Sequence, residues 1–273
     1  MTKIYKYGKI NHYTNTKRIL AKMLAELKMD LETDRPDLGY YQSSNMQGIL
    51  MEQIDTVYAD KLHDQGLKPY SQLLLSGEPK QWIIKTFTQE AYQEIILPLL
   101  DKEFSQFTIE KKAIHITVRG KSLKTLPKQE LLNEFYTGTC HRHLDLEFLT
   151  PTAFKSGGRY IIIPDTRYIY QSLMNKYSAA SPDLEMYDPE TLEQLTDHSN
   201  IVQYRLKSVL FPIEGVKIPA FKGMISIKIT GTDTMARYAR LLARFGEYSG
   251  VGIKSAMGMG GLKIKEWGQK NDR

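Results

Sequence analysis

With 273 residues and 41% hydrophobic content, the chain is long enough for two cored domains, which excludes a disordered or fibrous protein. Lysine and arginine outnumber aspartate and glutamate by 37 to 31, and the net charge of +6 suits a polyanionic partner without requiring one. A single cysteine, Cys140, excludes an internal disulfide or a thiolate zinc cluster, and no stretch reaches the ~18 apolar residues of a membrane span, so a soluble, unsecreted cytoplasmic protein is expected.

Period-two spacing of Leu27, Met29 and Leu31 within 20–33 predicts a half-buried strand. A helix is expected over Ser43–His63, where Met46, Ile49, Leu50, Ile54, Val57 and Leu62 recur at three- and four-residue steps, with Ser43 or Ser44 as N-cap and Gly66 beyond its end. Tyr70–Leu75 and Gln81–Phe87, separated by Ser76, Gly77, Glu78 and Pro79, read as a hairpin. Thr88 is expected to cap a helix over Gln89–Leu100, followed by strands at Phe104–Ile109 and Ala113–Val118 and a polar stretch over 119–128.

The second half repeats the order. Leu144–Leu149 reads as a strand and Asp165–Tyr177 as a helix carrying Ile169, Leu173 and Met174. An extra helical piece is expected at Asp188–Asp197, then strands at Ile201–Phe211 and Met224–Ile229 around a Pro212–Pro219 connection. Thr232 or Thr234 caps a helix over Met235–Phe245, and Leu262–Trp267 closes the unit. Two βαββαβ runs predict an α+β protein of tandem ferredoxin-like domains, 1–137 and 138–273.

The most specific motif is GVGIKSAMGMG, in which Gly250, Gly252, Gly258 and Gly260 form two Gly-apolar-Gly units flanking Lys254 and Ser255. Glycine permits positive φ and close approach, and unpaired amides in such turns bind phosphate oxygens. A dinucleotide fingerprint does not fit, because this loop precedes a strand rather than opening a helix. Just before it, Arg237, Arg240 and Arg244 share one helix face and form a candidate cationic stripe.

That loop resembles the C-terminal glycine-rich signature of the CRISPR-associated family-six endoribonucleases, members of the RAMP superfamily. The segment HLDLEFLTPTAFKSGGRYIIIPDTRYIYQSL is similar to the family's central strand, Thr-Pro turn and helix, and YADKLHDQGLKPYSQLLL to its N-terminal Leu-His region. The resemblance implies metal-independent cleavage of CRISPR repeat RNA, leaving a 5′-hydroxyl and a 2′,3′-cyclic phosphate, with the glycine loop holding RNA. It implies no cofactor and no membrane. A homodimer and handover of the mature guide RNA to an effector complex are left open.

Of six histidines, His63 is the best general acid or base, since it ends the first helix immediately before the Asp64–Pro69 turn. The negative end of a helix dipole favours a cationic side chain there. Its position also matches the family's histidine. Lys68 stands at a similar though not identical offset to the family's lysine, as a stabiliser of phosphate charge. The family's tyrosine is assigned to Tyr41, with Tyr58 and Tyr70 open. His12 is an alternative acid, and His141 and His143 alternate along an extended segment without a third metal ligand. Tyr160, Tyr168 and Tyr170 could stack on bases. The competing readings are a non-catalytic RNA-binding RAMP subunit and a ferredoxin-like metabolic enzyme.

Overall fold

The computed structural model describes residues 23–64, 66–181, 186–213 and 215–265, so His12 and the Trp267 end of the last expected strand lie outside them. Alternation makes Met23–Glu32 a strand, β1, that buries Ala25, Leu27, Met29 and Leu31 on one face. It lies within a five-stranded antiparallel sheet ordered β2-β3-β1-β5-β4, where β2 is Tyr70–Leu75, β3 Lys80–Thr86, β4 Gln106–Ile109 and β5 Ile114–Pro127. Without the edge strand β4, this is the order of a ferredoxin-like unit.

The single helix expected over Ser43–His63 is two helices, α1 (Ser43–Gln53) and α2 (Thr56–His63). Ile54 is extended, and the Asp55 carboxylate accepts from the amides of Val57 and Tyr58 at 2.9 and 3.2 Å, which caps a new helix. Thr88 caps α3 as expected, accepting from the Ala91 amide. That helix runs from Gln89–Ala91 through a π-helical turn, Tyr92–Ile96, into Leu97–Leu100. The polar stretch after Val118 does not leave the sheet. β5 continues to Pro127 because β1 pairs with it along its length, from Glu32 opposite Thr117 to Met23 opposite Pro127. Cross-strand pairing outweighs polarity there, since the exposed face of a sheet is free to be polar. A helix that the hydrophobic pattern does not announce, α4 (Lys128–Thr137), follows directly.

The second sheet, ordered β11-β6-β10-β9, consists of β6 (His143–Thr152), β9 (Ser199–Ile213), β10 (Val216–Ile229) and β11 (Leu262–Lys265). A small hairpin of β7 (Phe154–Ser156) and β8 (Arg159–Ile161) leads to α5 (Thr166–Ala180), α6 (Pro189–Asp197) and α7 (Asp233–Ser249). Asp165, Asp188 and Thr232 cap these three helices. The expected Pro212–Pro219 connection is strand on both sides of a tight turn. Pro212 lies on the sheet-edge strand β9, and Pro219 precedes the part of β10 that pairs with β6, so neither proline removes a ladder bond from a doubly paired strand.

Helices α1 to α3 cover the first sheet around Leu27, Met29, Met46, Leu50 and Trp82, while α5 to α7 cover the second around Leu146, Phe148, Ile169 and Leu242. Helix α7 also joins the units. Leu241, Phe245 and Tyr248 pack with Leu24 of β1, Phe87, Leu131 of α4 and Tyr177 of α5 in a separate buried cluster. The end of α7, and the glycine loop after it, are therefore clamped between the two sheets.

Candidate active site

A cleft of about 1100 Å³ opens where α1, the end of α2, the β4–β5 connection and the glycine loop converge. It is lined by His63, Lys68, Lys254 and Ser255 together with Gly252, all expected from sequence. Asn45, Gln47, Lys111 and Lys176 join them, and the acidic lining residues are Glu52 and Glu110. Four lysines and a histidine against two carboxylates make the cleft a place for an anion.

His63 is exposed in the last turn of α2, and Lys68 folds back so that its ammonium donates to the carbonyl of Asp64. The turn after α2 thus brings both side chains to one rim. Lys254 faces them from the other domain, exposed and held at positive φ of 55° by the loop. The carbonyl of Lys254 accepts from Met257 and Met259, which closes the short turn Ser255–Met257 behind it.

The glycines do a different job from the one their spacing suggests. The amides of Gly250, Gly252, Gly258 and Gly260 donate within the chain, to Gly246, the Ser172 hydroxyl, Ser255 and Pro151 respectively, and so are not the unpaired phosphate donors expected. At Gly260, φ is +70°, and a Cβ would run into the carbonyl of Val251; at Gly252, φ is +76°, and a Cβ would meet that of Ala153. The glycines let the loop double back against the end of β6 and present Lys254 and Ser255.

Two other expectations change place. Tyr41 lies in the 3-10 turn Tyr40–Gln42 with its ring 4.0 Å from that of Tyr40, and lines a separate depression with Leu210 and Lys217. Tyr58 and Tyr70 are buried in the first core, where burial pushes their phenols above the ordinary tyrosine range. Among the described residues, no tyrosine lines the cleft. The arginine stripe of α7 faces α4 instead: Arg237 donates to the carbonyls of Phe135 and Tyr136, and Arg244 pairs with Glu134 and Glu247. These guanidiniums cap and staple α4, the helix that the hydrophobic pattern does not announce. Arg240 shares their helix and is half-buried, away from the cleft lining. His143 opens β6 and His141 precedes it, and among the described residues no group of three or more His, Cys, Asp or Glu side chains is placed to hold a metal.

The residue that sequence reasoning missed is Lys176. It sits on α5 between the apolar positions Met174 and Tyr177, only 4% exposed, and donates to the carbonyls of Ser249 and Gly250 at 3.1 Å and to the Ser255 hydroxyl at 3.0 Å. Burial pushes its ammonium down to about 7. No local signal distinguishes it from a solvated helix lysine. Gln72 was equally silent: buried on β2, it accepts from the Trp82 indole and donates to the Ala256 carbonyl at 2.8 Å, tying the loop to the first sheet.

A family model for the CRISPR-associated endoribonuclease Cas6 matches residues 146–262, from β6 to the end of the glycine loop. A CRISPR-associated endoribonuclease Cas6 of Streptococcus thermophilus is 37% identical over 221 residues, covering 80% of this chain and 89% of that protein. The chain belongs to the Cas6 family. A Cas6 of Mycobacterium tuberculosis is 35% identical over 257 residues, 91% of this chain and 80% of its own length. In three dimensions, a Cas6 product complex superposes with a TM-score of 0.73 at 22% identity, covering 90% of this chain and all of that one. A RAMP protein binding different RNA substrates gives 0.56 at 14% identity over 89% of this chain and all of that one. These likenesses establish the tandem ferredoxin-like, RAMP-type fold. The Cas6 family match ends with the loop that carries Lys254, so it includes one wall of the cleft, while the His63 wall lies in the part reached by the longer alignments.

Proposed function

We propose that the chain cleaves CRISPR precursor RNA within its repeats, without a metal, to mature guide RNAs. The RNA supplies its own nucleophile: a 2′-oxygen bonds to the adjacent phosphorus, the bond to the 5′-oxygen breaks, and the products carry a 2′,3′-cyclic phosphate and a 5′-hydroxyl. The protein has three tasks, namely to move a proton to or from the reacting oxygens, to balance charge on the phosphorane and to hold the strand. The observation that carries the reading is the convergence of His63 and Lys68 with Lys254 and Ser255 across one interdomain cleft. His63 is the acid or base, Lys68 the charge stabiliser, and Lys254 and Ser255 hold the phosphates. Tyr41 has no part in the step.

Single-turnover cleavage of the cognate repeat RNA in EDTA tests this. Wild-type protein should cut, His63→Ala should slow cleavage by about 10²-fold or more, the usual worth of a positioned acid or base, and a 2′-deoxy substitution at the cut site should abolish it because the nucleophile is gone. Tyr41→Phe should cleave like wild type. Tight binding without cleavage by the folded wild type would replace the reading with that of an RNA-binding subunit.

A further inference from the structure

The loop that faces His63 has no strand or helix of its own long enough to hold it, yet it is buried at eight of its twelve positions from Gly250 to Gly261. Backbone bonds from Ile253 to Ala153 and from Gly260 to Pro151 fix its middle against the end of β6, and its start is fixed by side chains reaching in from elsewhere. At the end of α7 the last carbonyls point away from the helix with no partner on the following turn, the usual deficit of a helix C-terminus. Lys85 of β3 donates to the Glu247 carbonyl at 2.6 Å, Ser71 of β2 to that of Tyr248 at 2.6 Å, and Lys176 to those of Ser249 and Gly250. Two cations at the negative end of the helix also favour it electrostatically.

Lys176 differs from the other two in bridging two turns of chain. Its three ammonium protons match three acceptors, two at the helix end and the third on Ser255, five residues beyond Gly250. Ser255 is next to Lys254 and lines the cleft. We propose that Lys176 is a positioning residue of the cleft, whose ammonium draws Ser255 to the end of α7 and thereby sets Lys254 and Ser255 at the height where they meet an RNA phosphate opposite His63. The inference rests on the RNA-cleaving reading for its consequence, and on the hydrogen bonds alone for its structural part.

The expected behaviour follows from acting through the loop. A displaced Lys254 still contributes charge to RNA binding, but the strand it holds is no longer seated with its scissile phosphate against His63 and Lys68. Loss should therefore fall on the rate at saturation more than on affinity. The experiment compares wild type with Lys176→Met, Lys176→Gln and, as a control on the same helix, the core truncation Ile169→Val. Amide hydrogen exchange over 250–261 is measured together with the single-turnover rate and half-saturating protein concentration for repeat RNA. Lys176→Met should raise loop exchange by about tenfold and lower the saturated rate by about 10- to 100-fold, with half-saturation moved by less than about threefold, since an ångström of misplacement is costly to chemistry. Lys176→Gln, retaining two donors, should fall between the two proteins and keeps the series readable if the methionine variant does not fold. Loop exchange and saturated rate that follow wild type, or that change only as in Ile169→Val, would overturn the proposal. An inactive wild type would remove the functional reading, and the exchange data would still decide whether Lys176 holds the loop.

Discussion

His63 and Lys68 are ordinary residues in an ordinary turn, and the chemistry proposed for them rests on what stands opposite. Both rise from the segment after α2, and the tether from Lys68 to the Asp64 carbonyl keeps the two on one rim. Lys176 is the reverse case, a charged residue whose surroundings change its character. Burial lowers its ammonium to about 7, against 10.5 for a lysine in water. The unfolded chain then binds more protons than the folded one between these values, so this group makes stability rise with pH through that window, by up to about 1.4 kcal/mol per pH unit. Urea unfolding at pH 7, 8 and 9 should show wild type gaining on Lys176→Met as pH climbs. Parallel pH trends in the two proteins would mean that Lys176 titrates like an exposed lysine. Deprotonation relieves the burial cost but leaves two donors for three acceptors, so greater global stability and a looser loop should accompany each other.

Among the elements, the glycine loop shows most clearly how one residue type serves two ends. Gly260 has positive φ and no room for a Cβ beside the Val251 carbonyl, whereas Gly48 in the middle of α1 has nothing within 4 Å of one. Gly260→Ala should cost about 2–4 kcal/mol, as strain and a backbone clash act together, while Gly48→Ala should stabilise by about 0.5–1 kcal/mol. Thermal unfolding of the two variants checks both signs. The split of α1 from α2 was legible in principle, since Asp55 before Thr56 is a cap, but the unbroken apolar periodicity of Met46, Ile49, Leu50 and Ile54 concealed it. Helix α4 was less legible. It buries Leu131 against α7, and its other partners, Arg237 and Arg244, are about a hundred residues away in sequence.

For the whole molecule, α7 decides the architecture. It packs Leu242 into the second core and Phe245 into the cluster shared with β1, so the loop at its end faces the first domain. The cleft is accordingly an interdomain property, and its lysines come from both sides: Lys68 and Lys111 from the first domain, Lys254 from the second. Each phosphate neutralised by a lysine releases counterions. Replacing any one of Lys68, Lys111 or Lys254 by alanine should reduce the slope of log affinity against log salt by about 0.7 for a single-stranded repeat. Titrations of RNA at several salt concentrations would show this, and an unchanged slope would take that lysine out of the RNA path.

Sequence by itself determined the two βαββαβ runs, because strand and helix periodicities are local, and it singled out His63, Lys68 and the glycine loop through motif resemblance. It also marked Lys254 and Ser255 as candidate phosphate holders within that loop. Only the tertiary structure decided that the glycine amides are used internally, that Arg237 and Arg244 hold α4, and that Tyr41 stands outside the cleft. The same holds for Lys176 and Gln72, whose bonds to the end of α7 and to the glycine loop join residues more than 70 positions apart. Hydrogen bonds between distant segments leave no periodicity in the chain, so a polar residue committed to such a bond reads in sequence like one that faces water.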